Sequence, residues 1–360
     1  MSPSDASGAP AVASSDPAGA APSAGFRRLV VTTLVATFAL VLVGGVVRLS
    51  DSGLGCGPAG SGFHGWPMCR GDIVPGVELN AIVEYSHRAL AAACGLLMIA
   101  LAAWAWRRLR GTHRGIVRAT TAGLGLIVAQ GLLGAATVEL NLDEALVAVH
   151  LGLAMLLLGL LLYVWRSARP PDADDNAGGA TAGPALRRLS VAAAALVLVT
   201  IMAGGYMAGT QKHGRTDHVP GAGAHRACGT DFPACNGSLM PFGQSELADI
   251  HLTHRAFMYL AVILVVALAV AVLRRRPGRA AVRLAWGALG ILVVQVLLGA
   301  VNVWLPEEYE LLVLVHLTAG TLLWVSVVDL GLALRPAHQA AGAAGAGRRD
   351  AARRGEPVPA

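Results

Sequence analysis

The chain has 360 residues, of which 55% are hydrophobic and only 14% are charged. Soluble domains usually carry about 25% charged residues, so this composition excludes an ordinary soluble fold and indicates a membrane protein. The formal net charge is +6, but the basic residues lie in short segments between apolar runs and are not interleaved with aromatic residues. We therefore attribute the charge to membrane topology and expect no nucleic-acid partner.

Both ends of the chain are predicted to be disordered tails. Residues 1–26 are rich in Ala, Ser, Pro and Gly, and they lack the basic start and apolar run of a cleavable signal. Residues 336–360 have a similar composition. The folded part of the protein is thus expected between these tails.

Eight apolar stretches in this region are each long enough to cross about 30 Å of hydrocarbon as a helix. They lie near Leu29–Val47, Glu84–Trp106, Ala119–Val138, Ala145–Trp165, Leu189–Gly209, Ile250–Leu273, Leu284–Trp304 and Leu311–Leu334. With both termini on one side of the membrane, that side carries 21 of the 28 Lys and Arg residues. The sequence predicts an all-α, multi-pass membrane protein surrounded by lipid, with both termini in the cytoplasm.

Motifs of the first four spans recur in the last four, at offsets of 160 to 167 residues. The matching segments are Gly44-Gly45 with Gly204-Gly205, Pro67–Gly71 with Pro233–Gly237, Ser86-His87-Arg88 with Thr253-His254-Arg255, Gln130–Ala135 with Gln295–Ala300, and Val149-His150-Leu151 with Val315-His316-Leu317. The repeat predicts two tandem, pseudo-symmetric four-helix bundles at 27–168 and 187–335, with a cytoplasmic linker at 169–186.

Four histidines recur in register, each a few residues inside the same end of its span: His87, His150, His254 and His316. Polar side chains at membrane depth are costly and usually functional. Two imidazoles facing across a bundle can be the axial ligands of haem iron. The alternative is that each histidine only makes a helix-packing hydrogen bond. Zinc is a weaker candidate, because it needs about four converging ligands.

The two halves differ next to the histidine of the second span. Glu84 lies three residues before His87 on the same helix face, and His251 takes the equivalent place in the second half. Glu84 is a candidate general base, or a stabiliser of positive charge at a haem edge. The alternative is an interfacial acid paired with Arg88 or Arg48. His251 is either a boundary histidine or a contact for a propionate or a quinone headgroup.

Two long outer loops each contain a pair of cysteines, Cys56 with Cys69 and Cys228 with Cys235. Outside the cytoplasm such pairs form structural disulfides, or they cycle between redox states and exchange electrons or thiols. Twelve residues separate the first pair and six the second. Cys94 lies within a span and is interpreted as a packing residue.

These residues together resemble the haem A synthase family. The run Gly45–Cys56 is similar to the end of that family's first span and the start of its first outer loop. Trp66–Cys69 resembles the rest of its loop motif, and Glu84–Arg88 resembles its glutamate–histidine motif. With the histidines of spans four, six and eight, the resemblance covers roughly residues 27–335.

The resemblance implies an oxidoreductase of the bacterial cell membrane that oxidises the C8 methyl group of haem O to a formyl group, through hydroxylation, to make haem A for cytochrome oxidase. It implies a haem b cofactor held by His254 and His316, and a substrate haem held by His87 and His150. Glu84 would be the catalytic carboxylate. Further implied partners are haem O synthase, cytochrome oxidase assembly factors and a second copy of the chain.

Three arginines, Arg48, Arg88 and Arg255, are candidate partners of haem propionates or structural residues. Two other functions fit the paired histidines. One is a dihaem protein that passes electrons to or from quinone, and the other is a haem carrier with no chemistry of its own.

Overall fold

The computed structural model describes residues 21–170, 182–210, 223–305 and 309–335. Within these ranges the chain forms eight long α-helices and two short 3₁₀ turns, and no β-strand. The helices are α1 (Ala24–Leu49), α2 (Leu79–Arg108), α3 (Arg114–Glu139), α4 (Glu144–Ala168), α5 (Pro184–Gly209), α6 (Glu246–Arg275), α7 (Arg279–Trp304) and α8 (Tyr309–Ala333). All eight are long and apolar enough to cross a membrane, so the prediction of an all-α, multi-pass membrane protein is confirmed.

Most residues of the predicted tails and linker lie outside the part of the chain that the structure describes. Residues 1–20, 336–360 and 171–181 lie outside the described residues. The described chain is already helical from Ala24, and Phe26 is fully buried.

Six of the eight helices begin four or five residues earlier than the apolar stretches indicate. Helix α2 begins at Leu79 rather than near Glu84, and α6 begins at Glu246 rather than near Ile250. Charged residues in or near the first turns lower the mean hydropathy without interrupting a helix. The α6 start is also capped, since the Ser245 hydroxyl accepts a hydrogen bond from the third residue of the helix.

The eight helices pack as two rings of four. In the first bundle, α1 contacts α2 and α4, and α3 contacts the same two helices. In the second bundle, α5 contacts α6 and α8, and α7 contacts the same two. The bundles meet along α1, α4, α5 and α8. The domain bounds and the pseudo-symmetry between the bundles stay predictions.

Hydrogen bonds from Arg48 and Trp324 join the bundles at the histidine end and near the middle. Arg48, at the end of α1, donates to the carbonyl oxygens of Ala208 and Gly209 at 3.2 and 3.1 Å. These are among the last carbonyls of α5, which have no partner within the helix. Deeper in the interface, the indole N–H of Trp324 donates to the carbonyl oxygen of Met155 at 2.9 Å.

An ion pair joins the bundles at the opposite end. The guanidinium of Arg166 on α4 donates through Nε and Nη2 to the two carboxylate oxygens of Asp329 on α8. Both side chains are largely buried. Nearby, Arg335 lies over the ring of Tyr163 at 5.5 Å.

The closely packed core lies mainly in the half of the molecule away from the histidines. It forms one cluster in the first bundle and a larger one that fills the second bundle and the interface. The largest fully buried side chains in these clusters are Phe26, Met98, Leu101, Ile116, Met155, Leu157, Leu158, Leu161, Leu268 and Leu330. This part of the molecule holds the helices in place, which leaves the histidine end for chemistry.

Candidate functional site

The four histidines lie at one level, close to the starts of α2, α4, α6 and α8. They are six to eight residues from the first residue of their helices, which at 1.5 Å per residue is about 9–12 Å. Each imidazole is half-buried. Within each bundle the two rings are close enough to interact electrostatically, His87 with His150 and His254 with His316. The predicted partners of each pair therefore lie in the same bundle.

A glycine on the adjacent helix packs against the first histidine of each bundle. A Cβ atom placed on Gly44 would lie 3.0 Å from Cε1 of His87, and one on Gly204 would lie 2.9 Å from Cε1 of His254. Real Cβ atoms essentially never come as close as 2.9 Å, and 3.0 Å is tighter than nine in ten real contacts. A side chain at Gly204 would therefore displace the ring of His254, and one at Gly44 would crowd the ring of His87.

The second histidine of each bundle has a similar neighbour. Cβ atoms placed on Gly134 and Gly299 would lie 3.5 and 3.2 Å from Cε1 of His150 and His316. The first distance is an ordinary contact and the second is tight. Sequence analysis matched Gly44 with Gly204 as repeated residues, but their contact with the histidines is seen only in the folded chain.

One histidine is already oriented as a metal ligand. Nδ1 of His254 donates to the carbonyl oxygen of Thr200 on α5 at 3.1 Å. This hydrogen bond fixes the tautomer and leaves the lone pair of Nε2 available, as in most metal-bound histidines.

The other three histidines have a polar atom that the described residues leave without a hydrogen bond. In His87, His150 and His316, Nδ1 is buried and unpartnered. A buried, unsatisfied polar group costs about 1–3 kcal/mol, so this feature fits a site that is completed by a ligand.

Two glutamines of α3 and α7 approach the histidines differently. Gln130 donates to the backbone carbonyl of His150 at 3.0 Å, whereas the amide nitrogen of Gln295 contacts Nε2 of His316 at 3.1 Å. His316 can bind a metal through Nε2 only if Gln295 turns away.

These features fit haem, whose macrocycle supplies four iron ligands and leaves two axial positions for a pair of histidines. Among the residues that the structure describes, no group of three or more His, Cys, Asp and Glu side chains could hold a metal ion. A paired ligand set of this kind suits haem iron rather than zinc.

Glu84 is 3% exposed, and hydrogen bonds engage both of its carboxylate oxygens. Oε2 accepts from the backbone N–H of Cys56 at 2.8 Å, and Oε1 forms an ion pair with Arg88. Arg88 also donates to the carbonyl oxygens of Gly65 and Met68 at 2.6 and 3.0 Å. The Glu84–Arg88 pair therefore ties α2 to the first outer loop.

His251 takes the equivalent place in the second bundle and is also 3% exposed. Its Nδ1 donates to the carbonyl oxygen of Ala224 at 2.9 Å. Arg255 donates to the carbonyl oxygens of Ala234 and Asp231 at 2.5 and 2.9 Å. In both bundles, this position and the arginine four residues later anchor an outer loop. The side chain at this position accepts hydrogen bonds in the first bundle, where it is Glu84, and donates one in the second, where it is His251.

Both cysteine pairs are disulfide-bonded. The S–S distances are 2.11 Å for Cys56–Cys69 and 2.04 Å for Cys228–Cys235, so the longer spacing of the first pair is accommodated. None of the four side chains is more than 2% exposed. Because thiol exchange requires access to a sulfur atom, this burial favours a structural role. Cys94 is fully buried within α2, as expected for a packing residue.

Known proteins match most of the chain. Residues 27–328 match the family model of the cytochrome oxidase assembly protein, COX15-CtaA. A haem A synthase of Halalkalibacterium halodurans is 32% identical over 66% of this chain and 72% of that protein. The haem A synthases of Shouchella clausii and Bacillus licheniformis are 29% and 27% identical, over 68% and 75% of this chain and 75% and 82% of theirs.

Proposed function

Because the chain belongs to the COX15-CtaA family of cytochrome oxidase assembly proteins, we propose that it is a haem A synthase, an enzyme of haem A biosynthesis that acts on haem O. The observation that carries the proposal is the pair of histidines in each bundle, which lie at one depth, interact electrostatically and each pack against a glycine. One pair suits a resident cofactor and the other suits a substrate haem.

We assign the cofactor, haem b, to His254 and His316, and the substrate haem to His87 and His150. The carbonyl of Thr200 holds His254 in a ligand orientation, which suits a permanently bound group because little ordering is needed on binding. In the first bundle neither histidine is oriented through Nδ1 by a described residue, whereas in the second bundle one of the two is. This difference suits a haem of the first bundle that must arrive and leave.

The proposed reaction is oxidation of the C8 methyl group of haem O to a formyl group through hydroxylation. When bound, haem b supplies one-electron redox chemistry. Glu84 lies on the helix face of His87, less than one turn away, where its carboxylate can accept a proton. The Arg88 ion pair and the Cys56 N–H hold the carboxylate in place.

The same proposal places the protein in the cell membrane with both termini in the cytoplasm, and the histidines near the outer face. It implies haem O synthase as the source of the substrate and assembly of cytochrome oxidase as the use of the product. Reporter fusions to the two termini test the orientation. A phosphatase that is active when fused at the C-terminus, and so lies outside the cytoplasm, would contradict it.

Pigment analysis tests the function directly. The chain is expressed in cells that make haem O but not haem A, and extracted pigments are identified by mass. We expect haem A with the natural sequence, and haem O without a formyl product in Glu84→Gln, which keeps the shape of the side chain but removes its charge. Glu78→Gln is the matched control, since that carboxylate is more than half exposed and pairs with Arg70 at the surface. Haem O that persists with the natural sequence contradicts the proposal.

A dihaem electron-transfer protein is the second candidate, because both bundles contain a pair of interacting histidines. It predicts two permanently bound haems, whereas a haem A synthase is expected to retain haem b in one bundle and to exchange the haem of the other. The haem content of the purified protein, measured against the protein concentration, separates the two functions.

A further inference from the structure

The bundles differ in the charge buried beside the histidines of α2 and α6. In the first bundle, the guanidinium of Arg88 forms an ion pair with Glu84 four residues earlier on the same helix. In the second bundle, the residue four positions before Arg255 is His251, which donates its Nδ1 proton to a carbonyl. A neutral pair in one bundle therefore corresponds to a single positive charge in the other.

Arg255 has no ion-pair partner among the described residues. Its side chain is 3% exposed and donates to three carbonyl oxygens, those of Asp231, Pro233 and Ala234. It also lies 5.4 Å from the ring centre of Phe232.

Neither of the other ionisable groups near Arg255 forms an ion pair with it. The carboxylate of Asp231 attracts the guanidinium without direct contact and accepts a hydrogen bond from the backbone of Gly237. Tyr259 is also close, but its hydroxyl donates to the carbonyl of Pro233. A guanidinium stays protonated in proteins, so carbonyl dipoles and one ring solvate a full positive charge.

This charge acts on a proposed iron ligand, because Arg255 interacts electrostatically with the ring of His254, the residue before it on α6. Charges buried in a low-dielectric site act strongly on one another. Buried charge around a haem is one of the factors that set its reduction potential. A positive charge favours the reduced iron, which carries one positive charge less.

We propose that Arg255 raises the reduction potential of the haem held by His254 and His316, and that Glu84 cancels the corresponding effect of Arg88 in the first bundle. The inference rests on the proposed haem sites. It gives the cofactor bundle the higher electron affinity, which suits a haem that accepts electrons taken from a substrate in the first bundle. Arg255 is in this sense a positioning residue that acts through the haem rather than on the substrate.

The test is a potentiometric titration of the purified full-length protein with its bound haem b. The absorbance of the reduced haem is used to monitor the titration. The variant His251→Glu places a carboxylate four residues before Arg255, at the spacing of Glu84 and Arg88. We expect this variant to lower the midpoint potential by at least about 59 mV. For one electron, that shift is a tenfold change in the ratio of reduced to oxidised haem at a given potential. The matched control is His251→Gln, which keeps an uncharged donor for the carbonyl of Ala224 and is expected to stay close to the natural protein.

A second pair of variants guards against misfolding at position 251. Arg255→Lys keeps the charge and is expected to keep the potential, whereas Arg255→Gln removes the charge and is expected to lower it. Equal potentials within both pairs of variants overturn the inference.

Failure of the haem site itself gives a different result. In His254→Ala the spectrum of haem with two histidine ligands is expected to disappear. If it persists, the proposed site is wrong. If it disappears while the potentials are equal within both pairs of variants, the site stands and the charge inference is overturned.

Discussion

The shape of the candidate site depends on residues that have no side chain. Each of the four histidines lies against a glycine of a neighbouring helix, and the two closest approaches involve Gly44 and Gly204. Alanine is more favourable than glycine inside a helix by about 0.5–1 kcal/mol. A loss of binding in a Gly→Ala variant would therefore come from the contact with the imidazole and not from a weaker helix.

Gly204→Ala is expected to lower the haem b content of the purified protein and to change its absorption spectrum, because the new methyl group displaces the ring of His254. Gly290→Ala, in α7, is the matched control, since a Cβ atom there meets nothing within 4 Å. The control is expected to bind haem normally and to be as stable as the natural protein or slightly more so. The same haem content in both variants would show that Gly204 does not shape the site.

At the residue scale, the repeat in the sequence identifies the histidines, the cysteines and the matched glycines. The sequence offered Arg88 or Arg48 as a partner of Glu84, and Arg88 is the one that pairs with it, but the other contact of the carboxylate could not be identified. The N–H group that binds its carboxylate belongs to Cys56, 28 residues earlier, and its position depends on how the outer loop folds. Glu84 accepts a hydrogen bond from its loop, whereas His251 donates one to its own loop. This difference is likewise visible only when both loops are folded.

At the scale of elements, each outer loop is fastened to a helix of its own bundle by buried polar contacts and closed by a buried disulfide. In the first loop the contacts come from Glu84 and Arg88, and in the second from His251 and Arg255. These loops cover the ends of the helices that carry the histidines. The sequence predicted the cysteine pairs but left their role open, because exposure of a sulfur atom cannot be read from spacing.

The disulfides are expected to resist a mild, water-soluble reductant while the protein is folded, because Cys56, Cys69, Cys228 and Cys235 are at most 2% exposed. Gel-shift labelling with a maleimide polymer measures the free thiols. Labelling of all four cysteines is expected only after the same reductant is applied in denaturant, which is the control. Rapid labelling of the folded protein would instead support redox exchange.

At the scale of the whole molecule, the two bundles are joined at both ends of their interface, by Arg48 at the histidine end and by Arg166 with Asp329 at the other. The eight helices follow from hydropathy alone. The ion pair does not, since its partners are 163 residues apart and neither belongs to a repeated motif. A contact between residues outside the repeated motifs, such as this ion pair, cannot be predicted from the repeat.

Asp329→Asn is expected to lower the stability of the folded protein by about 3 kcal/mol, because it leaves the charge of Arg166 largely buried without a partner. Thermal unfolding in detergent measures the effect. Glu78→Gln is the control, since it breaks an ion pair whose side chains are about half exposed and is expected to change the stability by less than about 1 kcal/mol.

The double variant Arg166→Leu with Asp329→Leu tests the cause of that loss. It removes both charges and is expected to recover most of the stability. A double variant as unstable as Asp329→Asn would indicate that the geometry of the pair matters more than its charge.

The shared depth of the four histidines also has an electrical consequence. They lie about 9–12 Å from the starts of their helices, along an axis that crosses about 30 Å of hydrocarbon. A proton that moves between this level and the nearer face therefore crosses at most about two fifths of the transmembrane voltage. At 100 mV across the membrane, that transfer changes the free energy by less than about 1 kcal/mol. We therefore expect turnover to depend little on whether the cell membrane is energised.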